Sequence, residues 1–220
     1  IVSPAKGLYV IVPPEYLSVG CIPAEELVPL LMKFWNTPYY VCGLSAAYYH
    51  GASHQKPQVF QVMLNKKMRD LKCGKIKINF SYKKNFDALQ VDQRTVKTGY
   101  LSVASPELTV LDLLTYKNLA GGLNPTATIL SELVEAIDTE RLSLLLESSQ
   151  GNAWWQRLGY LLERIETMQP EKAAEINTVL KSYAKSAKLF WVPLASEHPR
   201  KGFSRDKTWK IIENIKIEVD

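Results

Sequence analysis

The stretch Tyr100-Leu-Ser-Val-Ala-Ser-Pro-Glu-Leu-Thr-Val-Leu-Asp-Leu-Leu114 decides how this chain is organised. It reads as a strand running into a helix. Val103 and Ala104 close the strand, and Ser105 suits an N-cap because its hydroxyl accepts an orphan backbone N–H. Pro106 fits the first helical position, and Glu107 sets negative charge at the positive end of the helix dipole. Leu108, Leu111 and Leu114 then recur at helical spacing.

Upstream of this joint the pattern mixes strands with two helices. Gly7-Leu-Tyr-Val-Ile-Val12 reads as a strand stopped by Pro13-Pro14, completing a sheet whose other strands are missing. Residues 24–35 predict a helix that Pro29 limits or kinks. Residues 39–49 predict a second, ended near Gly51. Residues 58–64 form a strand that is apolar on both faces, which argues for a central position. Residues 75–82 alternate, with Ile76, Ile78 and Phe80 on one side and Lys75, Lys77, Asn79 and Ser81 on the other. Residues 65–74 read as turn or short helix and 85–93 as loop. Residues 96–104 read as a bent strand or a hairpin around Gly99.

Downstream the periodicity is helical. Gly121-Gly-Leu-Asn-Pro125 is a break, and residues 126–137 form a helix with Ile129, Leu130, Leu133, Val134 and Ile137 on one stripe. Asp138 caps the next helix, which runs to Ser149. Residues 153–168 carry Trp154, Leu158, Leu161, Leu162 and Ile165 on one face, and Pro170 opens a further helix. Residues 189–193 are extended, and 209–219 form one or two final strands. The fold class is α+β: a small mixed sheet with flanking helices, then a helical region whose end strands return to a sheet.

The chain has 220 residues, 46% of them hydrophobic, enough for one large domain or two small ones. No apolar run reaches the ~18 residues a membrane span needs. The opening Ile1-Val-Ser-Pro lacks a signal-peptide pattern and an initiator Met, which suggests a piece of a longer protein. Three cysteines without CxxC spacing imply no disulfide framework and fit a reducing cytoplasm.

The net charge of +5 is unevenly spread. Lys66, Lys67, Arg69, Lys72, Lys75, Lys77, Lys83, Lys84, Arg94 and Lys97 face only Asp70, Asp87 and Asp92 in the same window. Such a field attracts phosphate or an acidic partner, although a lysine-rich solvated face has the same composition.

Catalytic patterns are sparse. His50 and His54 have a metal-ligand spacing, but Gly51 interrupts the helix and no third ligand follows, so no metal or cofactor is expected. Ser45, Cys42 and His50 lie close without a nucleophile elbow or an orienting acid. No phosphate loop or dinucleotide fingerprint occurs. Neither does the Gly-Ser with paired Asp that a nucleotidyltransferase needs for two metals. Asp70-Leu71-Lys72 has the spacing of a restriction-type nuclease, but sits in a charged turn. Trp35, Trp154, Trp155 and Tyr160 sit at core spacing. One member each of Tyr39-Tyr40 and Tyr48-Tyr49 must face outward.

Four segments together resemble the AbiEi-type antitoxins of bacterial type IV toxin–antitoxin and abortive-infection systems. They are the 39–51 segment Tyr-Tyr-Val-Cys-Gly-Leu-Ser-Ala-Ala-Tyr-Tyr-His-Gly, the 103–113 segment Val-Ala-Ser-Pro-Glu-Leu-Thr-Val-Leu-Asp-Leu, the 157–163 segment Arg-Leu-Gly-Tyr-Leu-Leu-Glu, and the 206–214 segment Asp-Lys-Thr-Trp-Lys-Ile-Ile-Glu-Asn. Leu108 departs from the pattern, where an Arg is more usual. The resemblance implies an N-terminal winged helix-turn-helix that binds operator DNA and represses its own operon. It implies a C-terminal antitoxin domain without catalysis, opposing a nucleotidyltransferase-like toxin encoded beside it. On this reading residues 1–20 are the remnant of a wing and a linker, with Lys6 placed to touch phosphate. Residues 21–220 are then the antitoxin domain, sheet-rich over 21–104, helical over 105–187 and closed by strands over 188–220. The alternatives are a restriction-nuclease-like enzyme and a plain DNA-binding repressor.

Overall fold

The computed structural model describes residues 1–53, 55–86, 89–149, 151, 153–167 and 169–218. His54, Asp87, Met168 and Val219, which entered the sequence reading, lie outside the described residues. The chain forms two compact units, one of residues 1–49 and 54–105, the other of residues 50–53 and 106–220. The protein is α+β.

The first unit opens with a hairpin of β1 (Val2–Ala5) and β2 (Leu8–Val10), turning through Lys6 and Gly7, whose φ is +88°. The strand read at residues 7–12 therefore has its partner within this chain. Val2-Ser-Pro-Ala5 gives no strand signal in the sequence, since it contains a proline and no clean alternation. The helix α1 (Ala24–Phe34) follows.

The main sheet contains β3 (Tyr39–Val41), β4 (Phe60–Leu64), β5 (Leu71–Cys73), β6 (Ile76–Tyr82), β7 (Val91–Val96) and β8 (Gly99–Ala104). Its order is β5-β6-β4-β3-β8-β7. The pairs β4–β6 and β3–β8 are parallel and the others antiparallel, so the sheet is mixed. The strand β4 is central and all five of its residues are buried, as its two apolar faces require. The helix α1 packs on β8 and β6 with Leu27, Val28 and Leu31 fully buried. Each such side chain contributes about 1.5–3 kcal/mol as an upper bound. Pro29 is accommodated inside α1.

Three local readings change. Residues 39–49 are not one helix: β3 comes first and α2 (Gly43–Tyr49) second, with Gly43 at φ +56° making the corner. Tyr-Tyr-Val is a strand sequence by composition, and pairing to β4 and β8 decides it. Residues 71–73 form an edge strand rather than turn or helix, because β6 offers a free edge. The 85–93 loop ends at Val91, where β7 pairs with β8 across the Gly99 turn.

The second unit is built around α3 (Pro106–Thr115), in which every residue from Pro106 to Leu114 is buried. A helix buried all round must be covered on every side. It is packed by α4 (Leu123–Leu133), α5 (Thr139–Ser148) and α6 (Ala153–Leu162). The helix α7 (Pro170–Ser186) lies on α6 and α5. Asp138 caps α5 as expected, accepting from the N–H groups of Glu140 at 2.8 Å and Arg141 at 3.0 Å. A small sheet of β9 (Val192–Pro193), β10 (Arg205–Asp206) and β11 (Ile211–Ile212) runs in the order β10-β11-β9.

Candidate interaction surfaces

The four signature segments supply internal joints. In the first unit, Gln61 Oε1 accepts from the Leu44 N–H at 2.7 Å, and Ser45 Oγ accepts from the Gln61 N–H at 3.0 Å. These bonds fix the start of α2 on β4. In the second, Glu107 is fully buried and accepts from the Asp138 N–H at 2.7 Å, with Arg141 Nε 3.7 Å from its other oxygen. Arg157 spends its fork on main-chain oxygens. Nε and Nη2 donate to Pro193 O at 3.1 and 3.0 Å, and Nη1 donates to Leu114 O at 3.0 Å. Burial lowers its guanidinium pKa.

The remaining signature residues lock the small sheet. Trp209 is fully buried, and a Cβ on Gly159 would stand 2.4 Å from its ring. Tyr160 donates to Glu213 at 2.9 Å, and Arg164 lies over the Tyr160 ring at 3.7 Å while reaching Asp206 at 3.0 Å. Asn214 accepts from Ala195 N–H at 2.9 Å and donates to Ala195 O at 2.7 Å, imitating a strand partner. Leu108, at the position of a usual Arg, is fully buried, as the all-round packing of α3 demands. Such groups are engaged in internal bonds that hold the fold.

The catalytic candidates disperse in the same way. Asp70 Oδ1 accepts from Asn79 Nδ2 at 3.0 Å and from the Phe80 N–H at 3.1 Å. It thereby caps the open edge of β6 just beyond the end of β5. Among the described residues no group of three His, Cys, Asp or Glu could hold a metal ion. Cys21, Cys42 and Cys73 are buried and form no disulfide. Burial and a hydrogen bond shared with the Cys73 sulfur, which favours the protonated thiol, push Cys21 up to about 12, far from a nucleophile at neutral pH. Trp154, Trp155 and Tyr160 are core residues and Trp35 is half-buried. Of the tyrosine pairs, Tyr40 is buried and Tyr48 exposed.

The ten basic residues do not form one surface. Lys72 and Lys77 stand directly opposite each other across the β5–β6 pair. Lys75 lies on the same face two residues from Lys77, and Lys66, Lys67 and Arg69 lie in the turn leading to β5. Like charges placed opposite have Cβ atoms ~5 Å apart and repel, an arrangement that an anion relieves. Beside them an open cleft of about 250 Å³ is lined by Tyr16, Cys21, Glu25, Lys56, Lys75 and Lys77. Three lysines there outnumber one carboxylate, which Lys56 engages at 2.8 Å.

Arg94 and Lys97 belong elsewhere. β7 lies four strand spacings from β6, or ~19 Å at the usual separation. Lys97 bonds Tyr16 Oη at 3.3 Å and sits 3.9 Å from Glu26, and these contacts raise its pKa. Lys83 is half-buried and donates to Tyr40 Oη at 3.3 Å, while Lys84 is exposed just beyond β6. Lys67 lies 5.9 Å from the Tyr82 ring. Lys6 is exposed at the tip of the β1–β2 hairpin. Sequence order grouped these cations, and strand order separated them.

Sequence reasoning missed a second cationic area, around Lys188, Phe190, Trp191, Arg205 and Lys210. Its signal, basic residues interleaved with aromatics over 188–210, was hidden by averaging charge across the whole remainder of the chain.

Among the described residues no helix is long and apolar enough to cross a membrane. No curated protein matches the chain. The RV2827C protein from Mycobacterium tuberculosis is similar in structure, with a TM-score of 0.58 and 16% sequence identity. The match covers 84% of this chain and 66% of that one, so this chain spans just under two thirds of that protein. At this identity the likeness concerns the fold. The sequence profile of the AbiEi antitoxin C-terminal domain matches residues 39–164, from β3 through α6 and just beyond, more than half of the chain. The protein therefore belongs to the AbiEi antitoxin family through its C-terminal domain.

Proposed function

We propose that this chain is the antitoxin and regulatory part of a two-component system. It opposes a nucleotidyltransferase-like toxin encoded in the same operon and acts without catalysis in the cytoplasm. The family membership of residues 39–164 carries this reading. The commitment of Glu107, Arg157, Tyr160, Asp206 and Asn214 to internal bonds supports it, since a folding signature without a reactive centre suits a protein that acts by binding. The β1–β2 hairpin is proposed as a wing of a DNA-binding module, with Lys6 at its tip against operator phosphate. The Lys72–Lys75–Lys77 face, rather than all ten cations, supplies accessory backbone contacts to DNA or the surface that opposes the toxin.

Growth rescue tests the proposal. The chain is expressed with the toxin encoded beside it and scored for colony formation. Rescue places antitoxicity in these residues. Loss of rescue in the Lys72→Glu, Lys77→Glu double variant, at unchanged thermal stability, assigns the surface. A folded chain that fails to rescue yet retards operator DNA overturns the antitoxin reading in favour of a plain repressor.

A further inference from the structure

Of the five tryptophans, Trp154, Trp155 and Trp209 are buried and Trp35 is half-buried, while Trp191 is exposed at 38%. Trp191 immediately precedes β9, and two cations stand over its ring. Arg205 lies 5.2 Å and Lys210 4.9 Å from the ring centre. Next to it Phe190 is 55% exposed, with Lys188 5.4 Å from its ring, and Phe203 is exposed in the loop before β10.

One cation over an indole is a common packing contact. Two cations on one exposed ring, beside a third on its neighbour, repel one another. Residues 188–210 hold Lys188, Arg200, Lys201, Arg205, Lys207 and Lys210 against Glu197 and Asp206. Asp206 is taken by Arg164 and by the Trp209 N–H. The rest of this unit leans the other way, with eleven acids and seven bases over residues 106–187. The excess of cations over residues 188–210 thus contrasts with an acidic body, and Lys188, Arg205 and Lys210 are the ones placed against the exposed rings. This strip lies outside residues 39–164, the part shared with the family profile.

We infer that this sheet is a platform for single-stranded nucleic acid. Phosphates meet the cations, and unpaired bases stack on Phe190, Phe203 and the Trp191–Arg205 column. The exposed rings favour a single strand over a duplex. Bases in a duplex are already stacked and turn only their edges outward, whereas unpaired bases offer a face to an aromatic ring. RNA and DNA single strands share this chemistry. The inference goes beyond the antitoxin reading and is independent of the Lys72–Lys77 face.

Trp191 provides its own probe. The full chain is titrated with a uridine oligomer, a thymidine oligomer of the same length and a DNA duplex, each about twelve nucleotides long to span one platform. Tryptophan fluorescence and anisotropy of a labelled strand are followed together. The single strands quench the exposed indole and bind at least tenfold tighter than the duplex. The ratio of RNA to DNA affinity identifies the natural source. With about four cations engaged, log K falls with log salt at a slope near −3. Trp191→Ala weakens binding about tenfold or more, and Trp191→Phe, which keeps a ring for the sheet, weakens it less. Lys201→Glu with Lys207→Glu, both at exposed loop positions, makes the slope shallower by about 1.4 without changing the melting temperature. The inference is overturned by equal binding of duplex and single strands. It is overturned by a salt slope that the double lysine reversal leaves unchanged, or by absence of binding at about 50 mM salt. It is also overturned if an oligoglutamate peptide quenches Trp191 as strongly, because the strip then serves an acidic protein.

Discussion

Replacing Gly159 with alanine separates two opposing effects. Gly159 lies within α6, where alanine is favoured over glycine by about 1 kcal/mol. Helix propensity alone therefore predicts stabilisation. The structure predicts the reverse. A Cβ at this position would meet Trp209 Cη2 at 2.4 Å and Cζ2 and Cζ3 at 2.5 Å. Van der Waals contact requires ~3.5 Å, so ring and helix must part by about 1 Å. Trp209 has little freedom to give. It is fully buried, and its ring packs edge-on against Trp155 at 6.5 Å. Its main-chain N–H donates to Asp206 at 2.7 Å and its main-chain carbonyl accepts from Gln156 at 2.6 Å. Overpacking a rigid core costs about 1–3 kcal/mol, and here the upper end applies. The net effect is a loss of about 2 kcal/mol, which lowers Tm by about 4–8 °C in a chain of this size. Urea and thermal unfolding followed by tryptophan fluorescence measure it, since Trp154, Trp155, Trp191 and Trp209 all belong to the second unit. Trp209→Phe removes the atoms that clash. In the double variant the two costs should fall short of additivity by about 1–2 kcal/mol. A Gly159→Ala chain as stable as the parent, or a strictly additive double variant, refutes the close-approach argument.

Glu107→Ala strands the Asp138 N–H and leaves Arg141 without its buried carboxylate, costing about 2–4 kcal/mol in urea unfolding; Glu107→Gln, which keeps an acceptor oxygen, costs less. Asn214→Ala leaves the Ala195 N–H without its acceptor and the Ala195 C=O with only the His198 N–H at 3.4 Å, costing about 1–3 kcal/mol, and hydrogen exchange at the Ala195 amide becomes markedly faster. Acid destabilises the second unit. The Arg141 N–H, seconded by that of Glu140, holds the Asp138 carboxyl below its ordinary 3.8, and Ser204, with help from Tyr160 and Arg164, holds Glu213 below 4.5. Because both folded-state values are lowered, their contribution is present above the unfolded values and is lost as the pH falls through the folded ones. Tm measured from about pH 6 to about pH 3 falls in that range, and less steeply in Glu213→Gln. Lys72→Glu sets opposite charges across the β5–β6 pair and raises stability by about 0.5 kcal/mol; a lowered Tm contradicts the register.

Sequence by itself determined what depends on near neighbours and on pattern. The joint at Ser105-Pro106, the Asp138 cap, the buried β4 strand and the alternation of β6 all follow from local sterics, capping and periodicity, and the structure keeps them. Three of the four motifs, at 39–51, 103–113 and 157–163, lie within the residues that the family profile matches. Tertiary structure decided everything that depends on which segments meet. Tyr39-Tyr-Val41 is a strand only because β4 and β8 flank it, and Leu71-Lys-Cys73 only because β6 has an edge to fill. Arg157 and Asn214 carry no sign in the sequence that their partners are main-chain groups dozens of residues or a whole strand away. Strand order also divided the basic window, putting Lys72 and Lys77 face to face and sending Arg94 to the far edge. Charge summed along a chain is blind to that division. The energy of a charged surface depends on distances through space, and those are set by hydrogen-bonded strand neighbours that can lie far apart in sequence.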